Sequence, residues 1–152
     1  MLKGIDPILG PELLATLRAM GHADEIAIVD ANFPAAANAR RLIRAGGVTA
    51  TRMVEAILSV LPLEQFEPVA AFRMAVDGAP DELPPVISEF EQLLRAVGYE
   101  GPIAALERFD YYERTCAAYA IVSTGERRYW GNLILKKGAI PPEAPSGAGD
   151  AA

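Results

Sequence analysis

Short apolar runs alternate with amphipathic stretches along most of this chain, and glycine or proline separates them at nearly every change. That alternation is what most restricts the fold. A short apolar run bounded by turn residues reads as a buried strand, and apolar residues three and four apart read as one face of a helix. Residues 11–20 predict a helix, with Pro11 in its first turn and Leu13, Leu14, Leu17 and Met20 on one face. Gly21 follows where a left-handed C-cap is expected. Residues 25–29 (EIAIV) predict a buried strand that ends at Asp30. Pro34 disfavours helix through Phe33, so residues 31–39 read as a loop. A short strand over 42–45 precedes Gly46-Gly47, and a helix over 49–61 turns Met53, Val54, Ile57, Leu58 and Leu61 inward before Pro62 ends it.

The second half repeats the pattern. Residues 69–76 predict a strand, followed by a loop through Asp77-Gly78. Pro84-Pro85 opens a helix whose apolar face is Ile87, Phe90, Leu94 and Val97, ended by Gly98. A strand over 103–107, a helix over 109–117 and strands over 118–123 and 132–137 complete the series. The early strands are separated by helices and the late ones look hairpin-like. Together they predict one α/β domain over residues 1–140, a mixed sheet flanked by helices. The tail from Pro141 to Ala152 is rich in Pro, Ala and Gly and is expected to be flexible and to pack on nothing.

Composition removes several function classes. The chain has 152 residues, is 51% hydrophobic, and carries a net charge of −6. An acidic chain is a poor partner for nucleic acid or an anionic membrane, since both reward basic patches. One cysteine, Cys116, permits no internal disulfide, and its apolar setting reads as a small core residue rather than a nucleophile. The N-terminus lacks a signal-peptide pattern, and no segment reaches the ~18 apolar residues that a membrane span needs. A soluble cytoplasmic protein is expected. One histidine and one cysteine are too few for ordinary zinc ligation, so no metal site is expected. No phosphate loop or dinucleotide fingerprint is present.

The residues able to do chemistry are few. His22, the only imidazole, lies just past a helix end. It is either a proton carrier near neutral pH or a surface residue shielding helix carbonyls. Asp30 ends a buried strand, where α/β proteins place ligands and where an Asx-turn is equally natural. The stretch ERFDYYERT groups Arg108, Tyr111, Tyr112, Glu113 and Arg114 either as a helix start with surface ion pairs or as a polyol-binding wall. RRYWGN, from Arg127 to Asn132, is either a hairpin with a packed aromatic or a stacking ring beside a hydrogen-bonding amide.

The motifs MGHADEIAIVDANFP and RFDYYERTCAAYAIVSTGERRYWGNLILKKG, with the chain length, resemble the L-fucose mutarotase family, a sister of the D-ribose pyranases. The resemblance spans about Leu2 to Ile140. It implies the α/β fold of that family and interconversion of the α and β anomers of L-fucose or a related monosaccharide, with no cofactor. The neighbouring activities are pyranose–furanose interconversion and monosaccharide binding without catalysis. The resemblance implies that His22 is the proton donor. It also implies that Asp30, Arg108, Trp130, Gly131 and Asn132 bind substrate. Asp30 would also be available to fix the imidazole tautomer, and Tyr112 and Tyr129 would support the site. Trp130 stands where relatives more often have tyrosine, which removes a phenolic hydroxyl. The family forms rings, typically decamers of two stacked pentamers, with sites shared between subunits.

Overall fold

The computed structural model describes residues 1–144. Eleven elements follow one another: α1 (Pro11–Ala19), β1 (Glu25–Val29), α2 (Ala35–Asn38), β2 (Leu42–Ala45), α3 (Ala50–Leu58), β3 (Ala71–Met74), α4 (Pro85–Ala96), β4 (Ile103–Leu106), α5 (Arg108–Ala117), β5 (Ala120–Thr124) and β6 (Leu133–Lys136). The strands form one six-stranded sheet in the order β2-β5-β1-β6-β3-β4. β1 runs parallel to β5, β5 to β2, and β3 to β4. β6 is inserted antiparallel between β1 and β3. The mixed α/β sheet flanked by helices is therefore as the sequence predicts.

Strand alternation explains the two-sided core. Ile26 and Ile28 of β1 face α1, α3 and α4, packing with Leu13, Leu17, Met53, Ile57, Phe90 and Leu94. Ala27 and Val29 face the other way and pack with Phe33, Phe72, Tyr111, Ile121 and Ile134. Both sheet faces are covered, so the central strands read as continuous apolar runs. Pro11 and Pro85 lie in the first turns of α1 and α4, where a missing N–H costs nothing. Gly98 takes a left-handed φ of 86° after α4.

Several expectations are corrected. β5 and β6 do not form a hairpin. They lie on opposite sides of β1, and the segment between them crosses its end, where the Ala31 N–H donates to the Glu126 carbonyl at 2.8 Å. The segment read as a loop contains α2, because Pro34 restricts only the residue before it and serves as N-cap. The left-handed residue after α1 is Ala23, at φ 68°, not Gly21. The helix carbonyls there are covered by Lys137, whose Nζ donates to Leu17 at 2.8 Å and Met20 at 2.5 Å, so His22 does not shield them. Val97 lies beyond the end of α4 and is half exposed. Cys116 is exposed on α5 rather than in the core, its Sγ donating to Asn38. Of the expected tail, residues 141–144 are exposed and irregular, and residues 145–152 lie outside the described residues.

Candidate active site

The carboxyl ends of β1, β3 and β4 and the entry to the antiparallel β6 lie along one edge of the sheet. Ligands of α/β proteins collect at such an edge. Asp30 follows β1 directly and is 5% exposed. Asn132 precedes β6 and locks onto it twice. The Asn132 side-chain amide donates to Asp30 Oδ2 at 2.9 Å, and the Asp30 backbone N–H donates to Asn132 Oδ1 at 2.9 Å. The Asn32 N–H donates to Asp30 Oδ1, also at 2.9 Å. Burial pushes the Asp30 carboxyl above the usual aspartate value, with the nearby Glu126 charge adding to it, while the Asn132 and Asn32 hydrogen bonds pull the other way.

Trp130 reaches the same edge on a backbone that tryptophan rarely adopts, with φ at 68°. A bulky residue held in the left-handed region costs about 1–3 kcal/mol and needs surroundings that enforce it. The enforcing frame is visible. The Asn132 N–H donates to the Trp130 carbonyl at 2.8 Å. Glu126, 2% exposed, accepts from the Arg128 N–H and Nε at 3.0 and 2.9 Å, and the Arg128 guanidinium extends to Glu89 at 2.6 Å. The Arg128 hydrogen bonds hold the Glu126 carboxyl below the usual glutamate range. Gly131 is required by this packing, since a Cβ there would meet Glu126 Cγ at 2.7 Å.

Arg108 opens α5. Its Nη1 lies 3.5 Å from Asp77 Oδ2, and its buried Nε has no partner among the described residues. Tyr112, one turn on, stands edge-to-face against Phe33 at 5.3 Å. Together Asp30, Arg108, Tyr112, Tyr129, Trp130 and Asn132 line an open cavity of about 190 Å³, with Phe33 and Met74 supplying apolar wall and Asn32 and Asp77 further polar groups. Gly131 shapes the backbone of this segment and does not line the cavity. The rest of the expected polyol wall is elsewhere. Tyr111 is fully buried in the core with no partner for its hydroxyl among the described residues, Glu113 points to solvent, and Arg114 binds Glu25 and lies 3.6 Å over the Phe72 ring.

His22 is not in this cavity. It precedes β1, whereas Asp30 follows it, and a five-residue strand at ~3.3 Å per residue separates them by roughly 15–20 Å. Asp30 therefore cannot fix the imidazole of its own chain. The His22 Nε2 is instead hydrogen-bonded to Glu64, and Phe66 meets the ring edge-on at 5.9 Å. The Glu64 carboxyl lies below its ordinary value, chiefly through the Phe66 backbone N–H, with His22 and the Gln65 N–H adding to it against burial. This edge also borders a larger cavity of about 610 Å³, walled by Leu63, Glu64, Gln65, Tyr99 and Glu100 among others. Sequence reading missed Glu64, Asp77, Phe33 and Met74. Only Asp77, in a turn after a strand, carried any signal. Among the described residues no cluster of three metal-ligating side chains occurs.

The model of the RbsD / FucU transport protein family matches residues 3–140. The chain is 42% identical to a fucose mutarotase of Danio rerio, covering 94% of this chain and 97% of that one. It superposes on the fucose mutarotase of Streptococcus pneumoniae, solved in complex with L-fucose, with a TM-score of 0.86 and 40% identity, over 92% of this chain and all of that one. It also superposes on RbsD of Bacillus subtilis, solved with D-ribose, with a TM-score of 0.70 over 93% of this chain and 100% of that one. At 22% identity that likeness speaks to the fold alone.

Proposed function

The chain belongs to the RbsD / FucU family, and from that membership we propose that it is an isomerase interconverting the α and β anomers of L-fucose. The observation that carries the reading is the convergence of Asp30, Arg108, Trp130 and Asn132 on one cavity, in a chain 40% identical to a mutarotase that holds L-fucose. Mutarotation breaks and re-forms one C–O bond with the help of two proton transfers and no change of oxidation state. The ring oxygen gains a proton as its bond to C1 breaks, and the anomeric hydroxyl loses one as C1 becomes a carbonyl. Rotation about C1–C2 and closure on the other face complete the cycle. A placed acid or base contributes ~10²–10⁴-fold, so one imidazole suffices and no cofactor is called for.

In this reading His22 gives the proton to the ring oxygen and water takes the anomeric one. Asp30, held by Asn132, accepts from sugar hydroxyls, while Arg108 donates to them. Trp130 stacks on the C–H face, a contact of apolar burial and dispersion. Phe33 and Met74 offer the C6 methyl an apolar wall, and Tyr112 and Tyr129 flank the opening.

His22 and Asp30 lie at opposite ends of β1, so we infer that each site is completed by a neighbouring subunit in a ring, a decamer of two stacked pentamers. Exposed aromatics support contact at both edges: Phe66 beside His22 is 82% exposed, and Phe109 and Tyr129 beside the cavity are 64% and 75% exposed. Joining one edge to the opposite edge of the next copy is a heterologous contact, which closes into a ring. No described helix is long and apolar enough to cross a membrane. A cytoplasmic setting suits an acidic chain with one free thiol.

Saturation-transfer NMR tests the function. Transfer between the α and β anomeric protons of L-fucose above the spontaneous rate is expected. Exchange confined to furanose forms of ribose, or line broadening without exchange, would replace this reading by a pyranase or a binding protein.

A further inference from the structure

The surroundings of His22 specify more than a proton donor. Glu64 lies in the segment joining α3 to β3, 42 residues from the histidine it touches. Its side chain is fully covered, whereas that of His22 is 49% exposed. Both carboxylate oxygens are committed. One accepts main-chain N–H groups from Gln65 at 2.8 Å and Phe66 at 2.5 Å, and the other meets His22 Nε2. A carboxylate held this way is an acceptor on every side, so the nitrogen facing it must carry hydrogen. Phe66 stands edge-on to the ring, with 87° between the planes. The Nδ1 atom has no partner among the described residues.

We propose that Glu64 is the positioning residue of the proton donor: it accepts from Nε2–H, fixes the imidazole tautomer and leaves Nδ1 as the atom that exchanges protons with the sugar. The inference rests on His22 being the donor. During ring opening the proton on Nδ1 passes to the ring oxygen as the C1–O bond breaks, and the anomeric proton leaves to water. The imidazole becomes neutral with Nε2–H still bound to Glu64. On closure the C5 hydroxyl attacks C1 and returns its proton to Nδ1, and the carbonyl oxygen takes one from water. A fixed carboxylate behind the ring keeps a hydrogen on Nε2 throughout this cycle and prevents the exchanging proton from residing on the wrong nitrogen.

The chain has one histidine, so its imidazole ¹⁵N spectrum contains one ring. At alkaline pH the wild-type ring is expected in the Nε2–H form. Glu64→Gln keeps an oxygen for the Gln65 and Phe66 N–H groups, and should lower kcat for anomer exchange roughly ten- to a hundredfold, with KM changed less than about threefold. Glu64→Ala should also mix the two tautomers. A role confined to supporting the loop would lower the yield of folded protein or raise KM while leaving the tautomer of the folded protein unchanged. The proposal is overturned by an Nδ1–H ring in the wild type, or by Glu64→Gln exchanging at the wild-type rate. His22→Ala separates the two levels of inference. If it stays active, the donor assignment itself falls. If it is inactive while the Glu64 variants are fully active, only the positioning role falls.

Discussion

Asn132 and Asp30 hold each other by a reciprocal pair of hydrogen bonds, both 2.9 Å, that joins the end of β1 to the start of β6. One bond uses the Asp30 main chain and the other its carboxylate, so a single amide fixes both the position and the rotamer of the buried acid. Asn132→Ala leaves the Asp30 N–H and one carboxylate oxygen unpaired, at about 1–3 kcal/mol for each buried group. Urea unfolding at fixed protein concentration should show a lower midpoint, and L-fucose should bind at least tenfold more weakly. An unchanged midpoint would mean that water replaces the amide.

Two neighbouring carboxyls should titrate in opposite directions. Burial raises the Asp30 pKa, so ionising it is harder in the folded chain than in the unfolded one. Its effect on stability is absent below the ordinary aspartate value of 3.8 and grows unfavourable as pH rises through the folded pKa. Glu126 is lowered from 4.5 by Arg128, so it stabilises above that pH and loses its contribution as pH falls through the folded pKa. Carboxyl ¹³C titration should find Asp30 above and Glu126 below those reference values. Under the proposed role of Asp30 as an acceptor for sugar hydroxyls, L-fucose binding should weaken on acidification with the Asp30 midpoint. Equal midpoints for binding and for a free aspartate would refute the link.

Trp130 separates stability from recognition. Trp130→Gly relieves a left-handed backbone at a gain of about 1 kcal/mol, yet removes the stacking surface. Trp130 also packs against the Phe33 and Phe72 side of the core, which offsets that gain, so stability within about 1 kcal/mol of wild type, combined with lost fucose binding, is expected. Trp130→Tyr should keep the maximal exchange rate within a few-fold and weaken binding slightly, because stacking needs no hydroxyl. A tenfold faster tyrosine variant would reveal a missing proton relay.

The proposed division of the site between two subunits can be tested by mixing defects. His22→Ala and Asp30→Ala rings should each be folded and inactive. Co-expressed, they should form mixed rings in which some sites combine an intact His22 from one subunit with an intact Asp30 from its neighbour. Recovery of a fraction of the exchange rate is expected, and light scattering should report a decamer. No recovery from mixed rings of confirmed composition would show that one subunit supplies the whole site.

Local pattern made most of the fold legible. EIAIV predicted β1 to the residue, and the Pro85 start and Gly98 stop of α4 were written in the chain. Strand neighbours were not, because pairing depends on where a connection crosses. The eight residues from Gly125 to Asn132 looked like a hairpin loop and instead straddle β1. In the site, Asp30, Arg108, Trp130 and Asn132 were each ambiguous until the family resemblance grouped them. Glu64 was invisible, since LPLEQFEPV carries no motif and its acid acquires meaning only through a histidine 42 residues away. Tyr111 and Tyr112 were indistinguishable by type, and helix geometry turned one into the core and the other to the cavity.

The central place of the last strand bears on how the chain comes off the ribosome. β2, β5 and β1 can assemble as one ribbon and β3 with β4 as another, but only β6 joins them. Until residues 133–136 emerge, the facing sides of β1 and β3 are open edges, which invite pairing with other chains. Closure is a long-range event, and such contacts form late. Asn132 stands at the threshold of that strand, so the grip on Asp30 arrives with the closing step. A chain stalled or cut short before β6 would have most of its helices and strands but no competent sugar site, and chaperone dependence should peak in that interval.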